Sequence, residues 1–261
     1  MSRSLYVRGV AFAWVAALLS VSLPALGESI TLHPTADTTL FEVAPDNSLG
    51  GADFFNAGTA ANSSRNRALI FFDLTGLIPS GAEITSVLLS MDVVRQPRAD
   101  PESSLFSLRR VLSSWGEGTT YEDDPLSPGR GGSAQIGDAT WNYRSYNDTA
   151  WSSPGGAAGV DFSTEISSTT IVYGLGDLVM FENTPRMVSD VEHWVEHPEL
   201  NFGWMLKTET EAQRRTARSF ASRESGFGPT LIIDFIVVPE PATLGLAGLV
   251  AAGVWLAHRR R

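Results

Sequence analysis

Runs in which every second residue is apolar recur through the middle of this 261-residue chain. Val87, Leu89, Met91 and Val93 alternate with Leu88, Ser90 and Asp92. Phe202, Trp204 and Leu206 alternate with Gly203, Met205 and Lys207, and Leu231, Ile233, Phe235 and Val237 with Ile232, Asp234, Ile236 and Val238. A period of two sends successive side chains to opposite faces of a strand, so each run needs a second layer to bury its apolar face. Further strand candidates are 30–33, 38–41, 67–74, 105–111, 169–172, 177–181 and 217–222, separated by clusters of Gly, Ser, Asn and Pro. Roughly ten short strands in about 200 residues predict an all-β fold, a two-sheet antiparallel β-sandwich of jelly-roll type. One segment breaks the period. Thr184 can cap a helix with Pro185 in its first turn, Val188, Val191, Trp194 and Val195 follow at helical spacing, and Pro198 stops it. This one short helix is expected to pack over an end of the sandwich through Trp194.

The two ends read differently from the middle. Arg3 and Arg8 precede the apolar run 10–21, and Ala25 and Gly27 are small residues two apart. That is the layout of a signal peptide over 1–27, cut after Gly27. An uncleaved anchor is the alternative, but the run is short for a span of ~20 residues. The tail, 239–261, opens with Pro239, Glu240 and Pro241, continues as an apolar run and closes on Arg259, Arg260 and Arg261. A transmembrane helix over 242–257 would be about 24 Å long at ~1.5 Å per residue, short of a ~30 Å hydrocarbon core. Flanking arginines can snorkel to cover part of the gap, and they favour the cytoplasmic side. Both ends then sit inside, and the body, 28–238, lies outside the inner membrane.

Pro-Glu-Pro, a short apolar helix and a terminal arginine cluster, in that order, resemble the PEP-CTERM sorting signal of Gram-negative bacteria. The resemblance implies an exosortase-type membrane protease as partner and transient inner-membrane anchoring. It also implies a final place at the cell surface or outside it, often in bacteria that make extracellular polysaccharide. An ordinary tail anchor is the competing reading of the same residues.

Charge and composition narrow the function. Without the two ends the chain keeps 14 basic and 28 acidic residues, a net charge of −14, and Lys207 is its only lysine. Binding a phosphate backbone needs a basic face, so no nucleic-acid partner is expected. The absence of cysteine excludes disulfides, a thiol nucleophile and cysteine-ligated metal.

Catalytic patterns are sparse. His193, Glu196 and His197 fit H-x-x-E-H, in which two histidines four apart on a helix could ligate zinc with the glutamate as base. Pro198 ends the helix at once, and the strand-like remainder offers no later helix for a third ligand. The competing reading is a polar helix face with Val191 and Trp194 inside. No G-x-S-x-G elbow and no P-loop lysine occur. Carboxylates are plentiful, yet nothing in their spacing selects a glycosidase pair. The chain is therefore read as not an enzyme.

Binding chemistry concentrates in the stretch 116–159, which is too long to be a structureless loop in a compact domain. It holds Trp141, Tyr143, Arg144, Tyr146 and Trp151 within eleven residues. Aromatic faces stack on sugar rings, and Arg pairs with hydroxyls. The alternative is that these rings pin the loop to the sandwich. No cofactor is expected, apart from a structural calcium ion that the acidic turns at Asp37, Asp46, Asn47 and Asp53, or Glu122, Asp123 and Asp124, could supply with oxygens. Spacing does not assign its ligands.

The body also resembles a DNRLRE domain. The resemblance rests on Ala36-Asp37-Thr38-Thr39-Leu40, Asn47-Ser48-Leu49-Gly50-Gly51 and the run from Arg67 to Leu74. Ile78 to Ile84 adds its hairpin turn, and Ser114 to Thr119, Ala139 to Tyr143 and Trp151 to Gly156 its middle. Phe220 to Glu224 with Gly228-Pro229-Thr230-Leu231 supplies its close. Phe71 departs from it, standing where a basic residue is expected. The family is a β-sandwich similar to carbohydrate-binding modules. The resemblance implies an exported, non-catalytic surface or matrix protein that binds extracellular polysaccharide. A purely structural surface protein, or a polysaccharide-acting or zinc-dependent hydrolase, are the alternatives.

Overall fold

The computed structural model describes residues 27–121 and 129–237. Residues 1–26 of the signal segment, Glu122, Asp123 and Asp124, and the tail with Pro239, Glu240, Pro241 and the expected helix 242–257 lie outside the described residues.

The first strands are β1 (Gly27–Leu32), β2 (Ala36–Phe41), β3 (Asn47–Ser48), β4 (Phe54–Thr59) and β5 (Arg65–Phe71). The long β6 (Glu83–Arg95) and β7 (Ser104–Arg110) follow. Three short strands, β8 (Gly132–Ser133), β9 (Tyr143–Ser145) and β10 (Thr149–Ala150), lie in the loop-rich stretch. The chain then forms β11 (Ser168–Val172), β12 (Leu178–Phe181), the helix α1 (Pro185–Glu196), β13 (Trp204–Thr208), β14 (Arg218–Ala221) and β15 (Thr230–Ile236).

The all-β reading and the single α-helix hold, but the expected two separate sheets are one. Eleven strands share an antiparallel sheet with the path β1-β15-β6-β14-β4-β5-β13-β7-β11, to which β12 adds on β6 and β2 on β5. The sheet curls, because β6 pairs with β15 along its first part and with β14 at its end, so pairing passes from one half to the other without a break. Val87, Leu89, Leu231 and Ile233 of one half then share a core with Ile70, Leu108, Trp204 and Leu206 of the other. The register of β6 against β15 shifts between Asp234 and Phe235. That bulge puts Ile84 and Val87, three apart, on the same buried face, which strict alternation forbids.

One strand has no signal in the sequence. All six residues of β4 are buried, so Phe54-Phe55-Asn56-Ala57-Gly58-Thr59 shows no alternation to detect. The stretch 116–159 does contain strands, and its tryptophans join a second core with Leu40, Leu69, Phe162 and Met205.

The helix starts and stops as its residues require. The Thr184 side chain accepts a hydrogen bond from the Met187 backbone, Pro185 occupies the first turn, and His197 caps the end before Pro198. Met187, Val191 and Trp194 face the main core. Trp194 meets Trp204 edge-on at 4.6 Å between ring centroids. Beside this contact Asp190 is buried, at 1% exposure. Its Oδ2 accepts from the Ser167 hydroxyl and from Trp204 Nε1 at 3.1 Å. Its Oδ1 lies 3.4 Å from Arg110 Nε and 3.3 Å from Arg186 Nε. Removing this carboxylate leaves two guanidinium groups without their counter-charge. Asp190→Ala should therefore cost about 3–5 kcal/mol in urea unfolding, and Asp190→Asn should fall between it and the wild type.

Candidate functional site

The sequence-selected aromatics separate into two groups. Trp141 and Trp151 are 3% and 4% exposed. Arg65 and Arg67 lie over the Trp141 ring at 5.1 and 5.4 Å, and a β-carbon on Gly155 would come within 2.6 Å of its edge. Arg67 itself donates to the Gly155 carbonyl and pairs with Glu211. Trp151 Nε1 donates to the Thr140 carbonyl at 2.8 Å. Both rings are covered by this packing. Truncating Trp141 to alanine should destabilise the body by about 3–5 kcal/mol in chemical denaturation.

Tyr143, Arg144 and Tyr146 are only half-buried. The two tyrosines meet edge to face at 5.5 Å. Arg144 Nη1 donates to the Ser114 carbonyl at 2.9 Å and to its hydroxyl at 2.7 Å. Backbone bonds from Gly116 to Arg144 and from Gly137 to Tyr146 fix the strand beneath them. The result is an open depression of about 310 Å³, walled by Ser114, Trp115, Arg144, Ser145, Asp148 and Thr149. One aromatic edge, one guanidinium, one carboxylate and several hydroxyls are what a hydroxyl-rich ligand would need.

A second constellation was not legible as a group. Asp37 on β2, Glu117 in the loop after β7 and Glu224 in the short turn after β14 each bring a carboxylate oxygen within 4.8 Å of the others. Arg223 holds them together. Its Nε and Nη2 donate to Glu117 at 2.6 and 2.9 Å, Nη2 lies 2.8 Å from Glu224, and its backbone N–H donates to Asp37 at 2.9 Å. The Asp37 backbone N–H donates in turn to Glu117 at 2.8 Å. Close approach of Gly50 fixes the loop, since a β-carbon there would lie 2.1 Å from the Glu117 carbonyl oxygen. Burial, with Glu224 and Glu117 nearby, pushes Asp37 up to about 8. Burial also raises Glu117 above the usual carboxylate range.

Of the described turn residues selected for calcium, only Asp37 enters this cluster. Asp46 accepts from Asn142, Asn47 donates to the Arg130 carbonyl, and Asp53 is exposed. Three carboxylates could take part in holding a cation, but calcium draws on six to eight oxygens. Here the Arg223 guanidinium already occupies both oxygens of Glu117 and reaches Glu224. The donor set as arranged fits an arginine better than an ion. The rings of His193, in the last turn of α1, and His197, its C-cap, lie 5.2 Å apart at a tilt of 53°, and burial, with Arg110 and His197, lowers His193 below the usual imidazole range. Among the described residues no third ligand-type side chain joins the pair.

The raised Asp37 has a signed consequence. The unfolded chain ionises this acid near 3.8, whereas the folded chain keeps its proton up to about 8. Between those values each rise in pH favours the unfolded state, and above about 8 the loss levels off. Thermal unfolding should show the wild type losing stability between pH 5 and about 8 relative to Asp37→Asn. Parallel profiles for the two proteins would contradict the assignment.

Residues 237–261 match the PEP-CTERM protein-sorting motif. The chain carries a PEP-CTERM sorting signal. Pro239, Glu240 and Pro241 fall within it. Such a signal marks an exported protein that exosortase, a membrane protease, processes, and that reaches the cell surface through a transient membrane anchor. The match begins at residue 237 and so says nothing of the body's likeness to a DNRLRE domain. No curated protein matches the chain.

Proposed function

We propose that the body is a non-catalytic surface module of a Gram-negative bacterium that engages extracellular polysaccharide after exosortase processing. The observation that carries this reading is the depression beside Arg144, on a protein whose tail addresses it to the cell surface. Sugar hydroxyls would meet Arg144, Asp148 and the Ser114 and Thr149 hydroxyls, and a ring face would lie near Trp115. The domain plan behind it is a signal peptide over 1–27, a DNRLRE-like body over 28–238 and a sorting tail over 239–261. The Arg223-bridged cluster belongs to the frame, since it ties β2, the loop after β7 and the turn after β14.

Binding is checked by polysaccharide pull-down with the body, 28–238, in the presence and absence of calcium. Arg144→Ala and Asp148→Ala should each weaken retention by about 10-fold, worth ~1.4 kcal/mol. A body that retains no polysaccharide under any condition would leave a purely structural surface protein. New reducing ends released from a bound polymer would show an enzyme instead. The processing half is separate: Pro239→Ala with Glu240→Ala should keep the full-length chain in the membrane fraction, as seen on a blot of fractionated cells.

A further inference from the structure

Most cations of the body are matched by its own acids. Arg65 pairs with Glu42, Arg67 with Glu211, Arg109 and Lys207 with Glu209, Arg215 with Asp100 and Arg223 with Glu117. Asp190 holds Arg110 and Arg186. Arg218 is buried and donates to the carbonyls of Glu102, Tyr173, Arg215 and Ala217. Arg144 differs from these. Its Nη1 is anchored on the Ser114 carbonyl and hydroxyl, and among the described residues no carboxylate pairs with it. Of the described residues that wall the depression, Arg144 is the one cation and Asp148 the one anion. Asp148 is exposed in the turn between β9 and β10, where its backbone N–H donates to the Ser145 carbonyl at 3.0 Å. Its Oδ2 accepts from the Thr149 hydroxyl at 2.9 Å.

A guanidinium only donates hydrogen bonds, and an ionised carboxylate only accepts them. A hydroxyl does both, so neighbouring sugar hydroxyls can offer an oxygen to Arg144 and a hydrogen to Asp148. A uronate carboxylate or a sulfate ester only accepts. It would suit Arg144 but would bring a like charge into the wall that holds Asp148, and like charges at such range repel. The long-range field acts in the same direction, since an acidic polymer would approach a body of net charge −14. We propose, resting on the reading of this depression as a polysaccharide site, that its ligand is an uncharged polysaccharide and that Asp148 is the residue that turns acidic ones away. Arg144 then acts as a donor to hydroxyls, held in place by Ser114, and not as the seat of an anion.

Pull-down of the body, 28–238, on two sets of immobilised polymers tests this. The neutral set is a β-glucan, a galactomannan and amylose, and the acidic set is alginate and pectate. A chelator is present throughout, so that no calcium ion bridges two carboxylates. The wild type should retain at least one neutral polymer, equally well at low salt and at about 1 M salt, where the screening length falls to ~3 Å. It should retain neither acidic polymer. Asp148→Asn keeps the side-chain shape and removes the charge. It should raise alginate retention at low salt by about 5-fold or more, and about 1 M salt should cancel that gain. Adding Arg144→Ala to Asp148→Asn should abolish the gain, which places it in the depression. A wild type that holds alginate or pectate but no neutral polymer overturns the inference and leaves the polysaccharide reading standing. A body that holds no polymer of either set overturns both. An Asp148→Asn variant that gains no acidic polymer overturns the role given to Asp148.

Discussion

Strand β6 makes one core from what would otherwise be two layers. Its thirteen residues pair with β15 along their first part, with β12 on the opposite edge and with β14 at the end, and α1 packs over them. Burial along it follows the period-two pattern from Val87 to Val93, so one face feeds the core while Leu88, Ser90 and Asp92 turn away. A strand shared in this way removes the break between facing sheets. It also dictates where the helix goes. The helix spans the interior where Trp204 would otherwise lack cover, with Trp194 against it and Asp190 accepting its indole N–H.

The acidic excess is partly structural. Asp37, Asp138, Asp161 and Asp190 are all buried. Asp138 accepts from the Thr120 hydroxyl and the Gln135 backbone, and Asp161 accepts from the Ser152 and Ala157 backbone N–H groups. Such carboxylates replace the ladder bonds that irregular backbone lacks, and a buried polar backbone needs partners. That is how the described part of the Gly-, Ser- and Pro-rich stretch between Gly116 and Gly159 holds its backbone around two buried tryptophans. An acidic count alone therefore overstates the surface charge available to a ligand or an ion.

What could be read in advance follows the same physics. Strands with one face in the core announce themselves, and β6 and β15 do so through Val87 to Val93 and Leu231 to Phe235. Strand β4 is covered on both faces and is silent. The helix was legible to its cap because Thr184, Pro185 and Pro198 act locally. The Asp37 cluster was not, since its members lie 80, 106 and 186 positions apart along the bonds that join them and no local pattern relates them. The only hint was that Asp37, Glu117 and Glu224 each sit in one of the short stretches that carry the DNRLRE resemblance. The role of Trp141 depended on the covering arginines of β5, and that of Trp151 on the Thr140 carbonyl that accepts its indole N–H. Sequence distinguishes an aromatic from a polar residue, but which ring face stays open is decided by what folds over it.

One piece of register brings the two ends of the described body together. Strand β1 pairs with β15 so that Gly27 lies opposite Ile236. The junction read as the signal cleavage site and the start of the matched motif at residue 237 therefore meet at the same point of the sheet. The three core clusters lie wholly within the described body. Cutting at both junctions therefore removes no buried apolar contact among the described residues. The hydrogen bonds between β1 and β15 hold each new end against the other. The matched sorting motif begins at residue 237, directly after Ile236, the last residue of β15 paired with β1.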